Sequence, residues 1–331
     1  MSIARFLPPL LLAAVSSPLI AFAIARAEVS RGIVCRDVHK PYDVRVPCFA
    51  GPALAVAIVA GLGAMYSLGL IGLGRFLAIS LSLAIAVVIG LVDDVRGLSA
   101  RAKIGLGLLP AIPVLALHQF VPRPWIPFFG HARMYLVYPL LVLAAYTVFC
   151  NGANMIDTHN GLLVGGSLSI VGASLALAIA LRAPLSYVET LAVAICALAP
   201  YAVLNIYPAR IFNGNSGSFV IGALLATCAI TCRMESLYVL GNMVLFVNGL
   251  LYLVSVRGFL QKEHVKRPTT VEPSGEMKPS CDPRAPLTLV RVALALLGGA
   301  DERRLVRAIL IAYLTNAAAA AALVAAMGYR P

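Results

Sequence analysis

An all-α, polytopic membrane protein of about ten transmembrane helices is predicted by three observations. Hydrophobic residues make up 60% of the 331-residue chain and charged residues only 12%, against roughly 45–50% and about 25% in ordinary soluble domains. Stretches poor in charge and long enough for a hydrocarbon core of ~30 Å recur along the whole chain. Lysines and arginines gather in alternate connections between those stretches. So few charges cannot cover a soluble surface, and the same composition excludes disorder, a collagen repeat and a disulfide scaffold.

The expected spans are 6–25, 52–72, 76–92, 104–120, 134–150, 161–181, 185–205, 217–232, 236–256 and 306–327. The first exceeds the ~7–15 apolar residues of a signal peptide and is read as a retained span despite the exit-like Ala25-Arg26-Ala27. The last is closed by the helix-favouring alanine run at 317–322. No internal repeat of the inverted-repeat transporter kind is found. An even number of spans puts both termini on one side. The odd-numbered loops carry 19 of the 26 Lys and Arg, which assigns them to the cytoplasm and the termini to the outside. The +12 balance is therefore an orientation signal and not a sign of nucleic-acid binding. Twelve of the 14 acids lie on that same face, Glu189 and Glu235 excepted. Orientation does not require acids there, so this face is the expected working surface.

The seven cysteines are scattered, with no Cys-x-x-Cys pair, which speaks against a disulfide framework or a thiolate zinc site. Cys228 and Cys232, four apart on an expected helix, are read as small apolar packing residues.

Four connections on the charged face could carry chemistry. Asp93-Asp94 ends the third span, where a helix C-terminus disfavours carboxylates and two neighbouring acids repel unless a cation intervenes. A solvated stop to the span is the plainer reading. Lys103 follows at the start of the next helix. The fifth loop, Cys150 to Leu162, holds Asn151, Asn154, Asp157 and Asn160 with no Lys or Arg. Its amides and carboxylate are hard ligands suited to Mg²⁺ or Mn²⁺, although an Asn/Gly turn capping two helices would look alike. The seventh loop, Tyr207 to Ser218, leads glycines and a small hydroxyl into a helix N-terminus, an anion-receiving turn. The ninth loop, 257–304, is long and basic. Its run Lys262, His264, Lys266 and Arg267 suits phosphate-rich ligands or anionic headgroups, and 287–299 is apolar enough to lie in the interface or pack beneath the bundle.

In this order and on one face, the loops resemble those of the polyprenyl-phosphate N-acetylhexosamine-1-phosphate transferase family. The likeness runs from about residue 31 to the last span. It is greatest to the eukaryotic and archaeal branch, the UDP-GlcNAc–dolichyl-phosphate GlcNAc-1-phosphate transferases. The family's layout of ten spans with termini outside agrees with the count above. Asp93 and Asp94 match its Asp-Asp pair and Lys103 the lysine that follows, which implies catalytic roles. Asn154, Asp157 and Asn215 fall on metal-side positions. Asn160-Gly161-Leu162 matches a nucleoside-side element. Phe212, Gly214, Ser216 and their neighbours match Phe-x-Gly-Asp-x-Gly-Ser, with Asn215 standing where the family has its metal-binding aspartate. His264, Lys266 and Arg267 are similar to the branch's pyrophosphate-contacting cluster, and Asp37 and Lys40 to its first-loop polar pair. Asn151 joins the substrate-binding set. The bacterial peptidoglycan branch's triple-histidine signature is absent from the ninth loop.

The resemblance implies a single integral membrane catalytic domain over 1–331, seated in the cell membrane with its active site facing the cytoplasm. It implies Mg²⁺ (or Mn²⁺), UDP-GlcNAc, a polyprenyl or dolichyl phosphate and membrane lipid as partners, with a homodimer compatible. The reaction implied is transfer of GlcNAc-1-phosphate to the lipid phosphate with release of UMP, the first step of lipid-linked glycan assembly for protein N-glycosylation. Two alternatives stay open: the same chemistry with another UDP-N-acetylhexosamine for envelope polysaccharide, or a multi-span transporter. A transporter would place ionisable residues at midplane depth. A CDP-alcohol phosphotransferase would need an Asp-Gly-x-x-Ala-Arg run, which the sequence lacks.

Overall fold

Apolar runs without partners for their backbone can cross a bilayer only as helices, and helices dominate the computed structural model, which describes residues 5–256 and 266–330. They are α1 (Leu7–Ser30), α2 (Pro52–Ser67), α3 (Leu73–Arg96), α4 (Ala100–Leu106), α5 (Ile112–Ala116), α6 (Tyr138–Ile156), α7 (Leu162–Ala180), α8 (Leu185–Asn205), α9 (Gly214–Thr231), α10 (Glu235–Gly241), α11 (Met243–Ser255), α12 (Leu289–Leu297) and α13 (Glu302–Ala326). Three antiparallel hairpins interrupt them: β1–β2 (Val34–Arg36 with Arg45–Pro47), β3–β4 (Trp125–Ile126 with Gly130–His131) and β5–β6 (Thr269–Val271 with Met277–Pro279).

Among the described residues, seven single helices are long and apolar enough to cross a membrane, and α10–α11 makes an eighth as a pair bent by 59°. The second expected span, α2, has 16 helical residues. The fourth, 104–120, is not one helix: α4, a 3₁₀ turn at Leu109–Ala111 and α5 follow one another. Pro110 and Pro113 each remove a backbone donor, and Gly105 and Gly107 weaken the helix between. The segment still travels from one end of the bundle to the other. Lys103 meets Asp93 at one end, while Phe120 stacks on Tyr138 at 5.8 Å at the other. Among the described residues ten passes therefore link the two ends, although not every pass is a single helix.

Helix α9 occupies the centre. It is 89% buried and packs against α2, α3, α6, α7, α8 and α10. Small residues permit this. A Cβ on Gly90 of α3 would sit 2.2 Å from Ser216 Cα, and one on Gly222 of α9 would sit 2.5 Å from Cys150 Cα of α6. Without a hydrophobic driving force between helices in lipid, such close backbone approach is a main source of cohesion. The bend between α10 and α11 falls at Asn242, whose Nδ2 donates to Tyr238 O at 2.8 Å, while Asn316 Nδ2 of α13 donates to Leu240 O at 2.9 Å.

Cys35 and Cys48 are joined by a disulfide. The odd cysteine count argued against a framework of such bonds, and this single link arises from local pairing: the β1–β2 register sets Cys35 opposite Val46 and brings Cys48 alongside. Cys228 and Cys232 are buried, as packing residues should be. Helix α12 is amphipathic, with Val290 and Leu294 buried and Leu296 84% exposed, in keeping with the reading of 287–299.

Candidate active site

The C-terminal ends of α1, α3, α6, α8 and α11 and the N-terminal ends of α2, α4, α7, α9 and α13 meet at one end of the bundle, beside β1–β2. The two acids that close α3 are stabilised there by different partners. Asp94 Oδ1 accepts the Asn215 N–H at 2.7 Å and Oδ2 the Ser216 N–H at 3.0 Å. These are orphan donors of the first turn of α9, and the positive end of its dipole favours the carboxylate. Asp93 Oδ1 accepts the Leu98 N–H at 2.7 Å, and Oδ2 forms a buried ion pair with Lys103. The repulsion expected between adjacent carboxylates at a helix C-terminus is thus relieved by α9 on one side and α4 on the other. Asp94 lines a cavity of about 480 Å³; Asp93 faces Lys103.

Asp157, just beyond α6, also lines this cavity. It accepts Asn213 Nδ2 at 2.9 and 3.0 Å and Ser218 Oγ at 2.6 Å. Burial pushes its carboxyl up to about 6 against those hydrogen bonds, with the Asp94 charge adding to the rise. Asn154 Nδ2 donates to Asn215 Oδ1 at 2.5 Å across the same cavity. Gly214 has φ +66, and a Cβ there would sit 2.9 Å from Asp94 Oδ2; the loop can wrap the carboxylate only with glycine. The loop itself is held by the segment before α2: Phe212 N–H donates to Pro47 O at 2.9 Å, and Ala50 N–H to Phe212 O at 3.1 Å. Phe212 and Asn160 complete the lining from opposite sides.

Asp37 and Lys40 do meet, in a buried network. Lys40 Nζ lies 3.0 Å from Asp37 Oδ2 and pairs also with Glu302 at the start of α13. Asn160 donates Nδ2 to Asp37 Oδ2 and its backbone N–H to Glu302 Oε1, both at 3.0 Å. Burial alone would raise Asp37, but the Asn160 amide and the Lys40 ammonium hold it below the usual range. Burial likewise works against charge on Lys40, yet Glu302 and Asp37 raise its pKa. This network fastens β1–β2 to α7 and α13. Gly161 starts α7 at φ +79 against Ile206.

Other expected site residues stand further off. Asn151 Nδ2 donates to Thr147 O at 2.8 Å and Lys103 O at 3.3 Å, tying α4 to α6. Ser216 is fully buried and contributes its backbone N–H. Lys266 and Arg267 are exposed; Arg267 borders a second cavity of about 260 Å³ that shares His39 and His159 with the first. His264 lies outside the described residues.

Three groups escaped the sequence reading. Glu302 completes the Lys40 network. Glu28 at the end of α1 accepts the Phe49 N–H at 3.1 and 3.3 Å. His39 and His159 stack with ring centroids 3.9 Å apart. Burial draws His39 down to about 4, reinforced by Lys40 and Arg267 against the pull of Asp37, and draws His159 below the ordinary histidine value. The adjoining Thr-His-Asn-Gly turn was the one available signal for His159.

The Lys40 network yields a stability test. Lys40→Met strands two buried carboxylates and should cost about 3–5 kcal/mol, the usual penalty for an uncompensated buried charge. Glu302→Gln leaves the Asp37–Lys40 pair intact and should cost less. Thermal unfolding in detergent measures both; equal, small losses would show that the network does not fasten the hairpin.

The sequence is similar to those of known proteins. Residues 76–233 match glycosyl transferase family 4. The chain is 27% identical over 214 residues to a protein of Saccharolobus solfataricus described as a putative UDP-N-acetylglucosamine–dolichyl-phosphate N-acetylglucosaminephosphotransferase, covering 63% of this chain and 65% of that one. It is 30% identical over 203 residues to a probable undecaprenyl-phosphate N-acetylglucosaminyl 1-phosphate transferase of Bacillus subtilis, covering 60% and 55% respectively. A putative glycosyltransferase of Methanocaldococcus jannaschii is 26% identical over 247 residues, 73% of this chain and 72% of that protein. The chain thus spans less than two thirds of the length of the first two of these relatives, 65% and 55%. From Phe76 to Arg233, just under half of the chain, the sequence is similar to glycosyl transferase family 4, which accords with the resemblance of its ordered loops.

Proposed function

We propose that the protein transfers GlcNAc-1-phosphate from UDP-GlcNAc to a polyprenyl (dolichyl) phosphate, releasing UMP. The observation that carries this reading is the convergence of Asp94, Asp157, Asn154 and Asn215 on one cavity at the end of an apolar bundle. A water-soluble donor and a membrane-borne acceptor can meet only at such a boundary. The matched relatives named above support the reading by their described activities.

A divalent cation, Mg²⁺ or Mn²⁺, fits the donor set. Two carboxylates and two amide groups line the cavity, and each carboxylate keeps lone pairs beyond those its hydrogen bonds use. Asp94, Asp157, Asn154 and Asn215 would hold it, and when bound it would neutralise charge developing on the UMP leaving group. The residues of the chain do the rest. Asp94, the member of the acid pair that faces the cavity, positions or deprotonates the lipid phosphate for attack on the β-phosphorus, and the bond to the α-phosphate oxygen breaks. Asp93 and Lys103 fix the turn from which Asp94 projects. His39, His159 and Phe212 offer flat faces beside the amides of Asn160 and Asn154, a lining suited to a nucleoside.

The decisive assay incubates membranes with labelled UDP-GlcNAc and dolichyl phosphate. Lipid-linked label together with UMP, inhibited by tunicamycin, is the expected outcome, and Asp94→Asn should abolish it while the protein still folds in detergent. Uptake of label without UMP would instead identify a transporter, and preference for another UDP-N-acetylhexosamine would reassign the sugar. Full activity in Asp94→Asn would remove Asp94 from the chemistry.

Asn215→Asp adds a charge where Asn154 now donates to the amide oxygen. It should lower the Mg²⁺ concentration for half-maximal activity. An unchanged Mg²⁺ titration would place residue 215 outside the metal shell.

The site-bearing end is assigned to the cytoplasm by its basic residues. Exposed Cys281 belongs to the connection at that end. A membrane-impermeant maleimide should label Cys281 in inside-out vesicles and not in intact cells; labelling from outside would invert the orientation.

A further inference from the structure

The connection between α5 and α6 reads Pro122-Arg-Pro-Trp-Ile-Pro-Phe-Phe-Gly-His-Ala-Arg-Met-Tyr-Leu-Val137, and it folds as β3–β4 at the end of the bundle opposite the site. Its base is fixed. Trp125 is buried, with its ring edge-on to Tyr329 at 5.4 Å, and Ser236 Oγ donates to Trp125 O. Ala132 N–H donates to Pro124 O and Met134 N–H to Pro122 O, each at 3.0 Å. Its tip is the opposite of what a water-facing turn requires. Phe128 is 88% and Phe129 84% exposed, and Phe128 is held at φ +70, in the left-handed region that side chains other than Asn, Asp and Gly rarely adopt. The fold holds two aromatic rings outward, Phe128 through a backbone conformation it disfavours.

The surroundings say what covers them. Tyr135, Leu136 and Val137 are exposed immediately after the hairpin, and beyond the buried Tyr138 exposed Leu140 and Leu141 follow on α6, a helix of membrane-span length. The patch is therefore continuous with a lipid-facing surface. Arg123, His131 and Arg133 are exposed at the hairpin's base, where a cation meets phosphate headgroups. Aromatic tips beside basic residues at the end of a span form an interfacial anchor.

We propose that β3–β4 is folded down into the membrane, with Phe128 and Phe129 seated among lipid acyl chains and Arg123 and Arg133 at the headgroup phosphates. The hairpin leads directly into α6, whose opposite end carries Asn154 and Asp157, so the anchor fixes the depth of that helix. The proposal does not depend on which sugar or lipid acceptor the protein uses.

Site-directed spin labelling in phospholipid nanodiscs tests it. Single cysteines replace Phe128 or Phe129 in a background with Cys196→Ser and Cys281→Ser. Leu140→Cys serves as the lipid-facing control and Ser274→Cys as the water-facing control. Collision with oxygen relative to a water-soluble nickel complex should be several-fold higher at 128 and 129 than at 274, and close to that at 140. A ratio matching residue 274 overturns the proposal, because the tip then stands in water. Protection from both reagents also overturns it, because the tip is then buried against a second copy or another protein. Elution of each labelled variant at the wild-type position in size-exclusion chromatography confirms that folding is retained.

Discussion

The capture of the first turn of α9 by Asp94 is the interaction on which the site depends. A helix as buried as α9 cannot leave its initial N–H groups to water, and the carboxylate that answers two of them comes from the last turn of α3. Both elements lose a liability in this exchange. The helix N-terminus gains acceptors, and the carboxylate escapes the unfavourable end of its own helix. Gly90 lets the α3 and α9 backbones approach closely enough for the contact to form, and Gly214 lets the loop pass over the carboxylate oxygen. A side chain so held is fixed in place before any ligand enters the cavity, and on the proposed reading such pre-organisation would serve charge stabilisation at a phosphate.

Much of this was legible in the chain. The spans follow from hydropathy, because lipid leaves the backbone no alternative. Asp93-Asp94 was conspicuous because the pair sits where a helix end should repel it, and the structure supplies the missing compensation from α9 and Lys103. What stayed hidden depends on contacts remote in sequence. Glu302 lies 262 positions from Lys40, and as an acid in the first turn of a helix it is indistinguishable from an ordinary dipole-favouring residue. Glu28 reads as the polar end of a span until Phe49 is brought to it. The fourth span was drawn as one helix because window hydropathy ignores that Pro110 and Pro113 lack donors.

The stretch that matches the family begins at Phe76, after β1–β2, and ends before α13. It contains the acid pair, the amide loop and the glycine turn. The Asp37–Lys40–Glu302 network is built from the two flanking parts of the chain, joined through Asn160 inside the matched stretch. The central region thus provides the acids and amides that line the cavity, while the flanks close the cavity around them through a buried ion network and, at Pro47–Gly51, through backbone hydrogen bonds to the α9 loop.

The bend between α10 and α11 bears on how polar residues in apolar helices should be interpreted. A broken helix inside hydrocarbon releases carbonyls that no solvent can satisfy. Asn316 meets such a carbonyl on Leu240, while Tyr238 O accepts both the backbone N–H and the side-chain amide of Asn242. Asn316 stands alone in an alanine-rich helix, where an isolated amide invites assignment as a ligand or a relay. Its position opposite the break makes it a joint between two spans instead. Because that joint binds a main-chain atom, it is indifferent to side-chain changes at residue 240 but would be lost if α13 shifted by one turn, so it ties the axial register of α13 to that of α10.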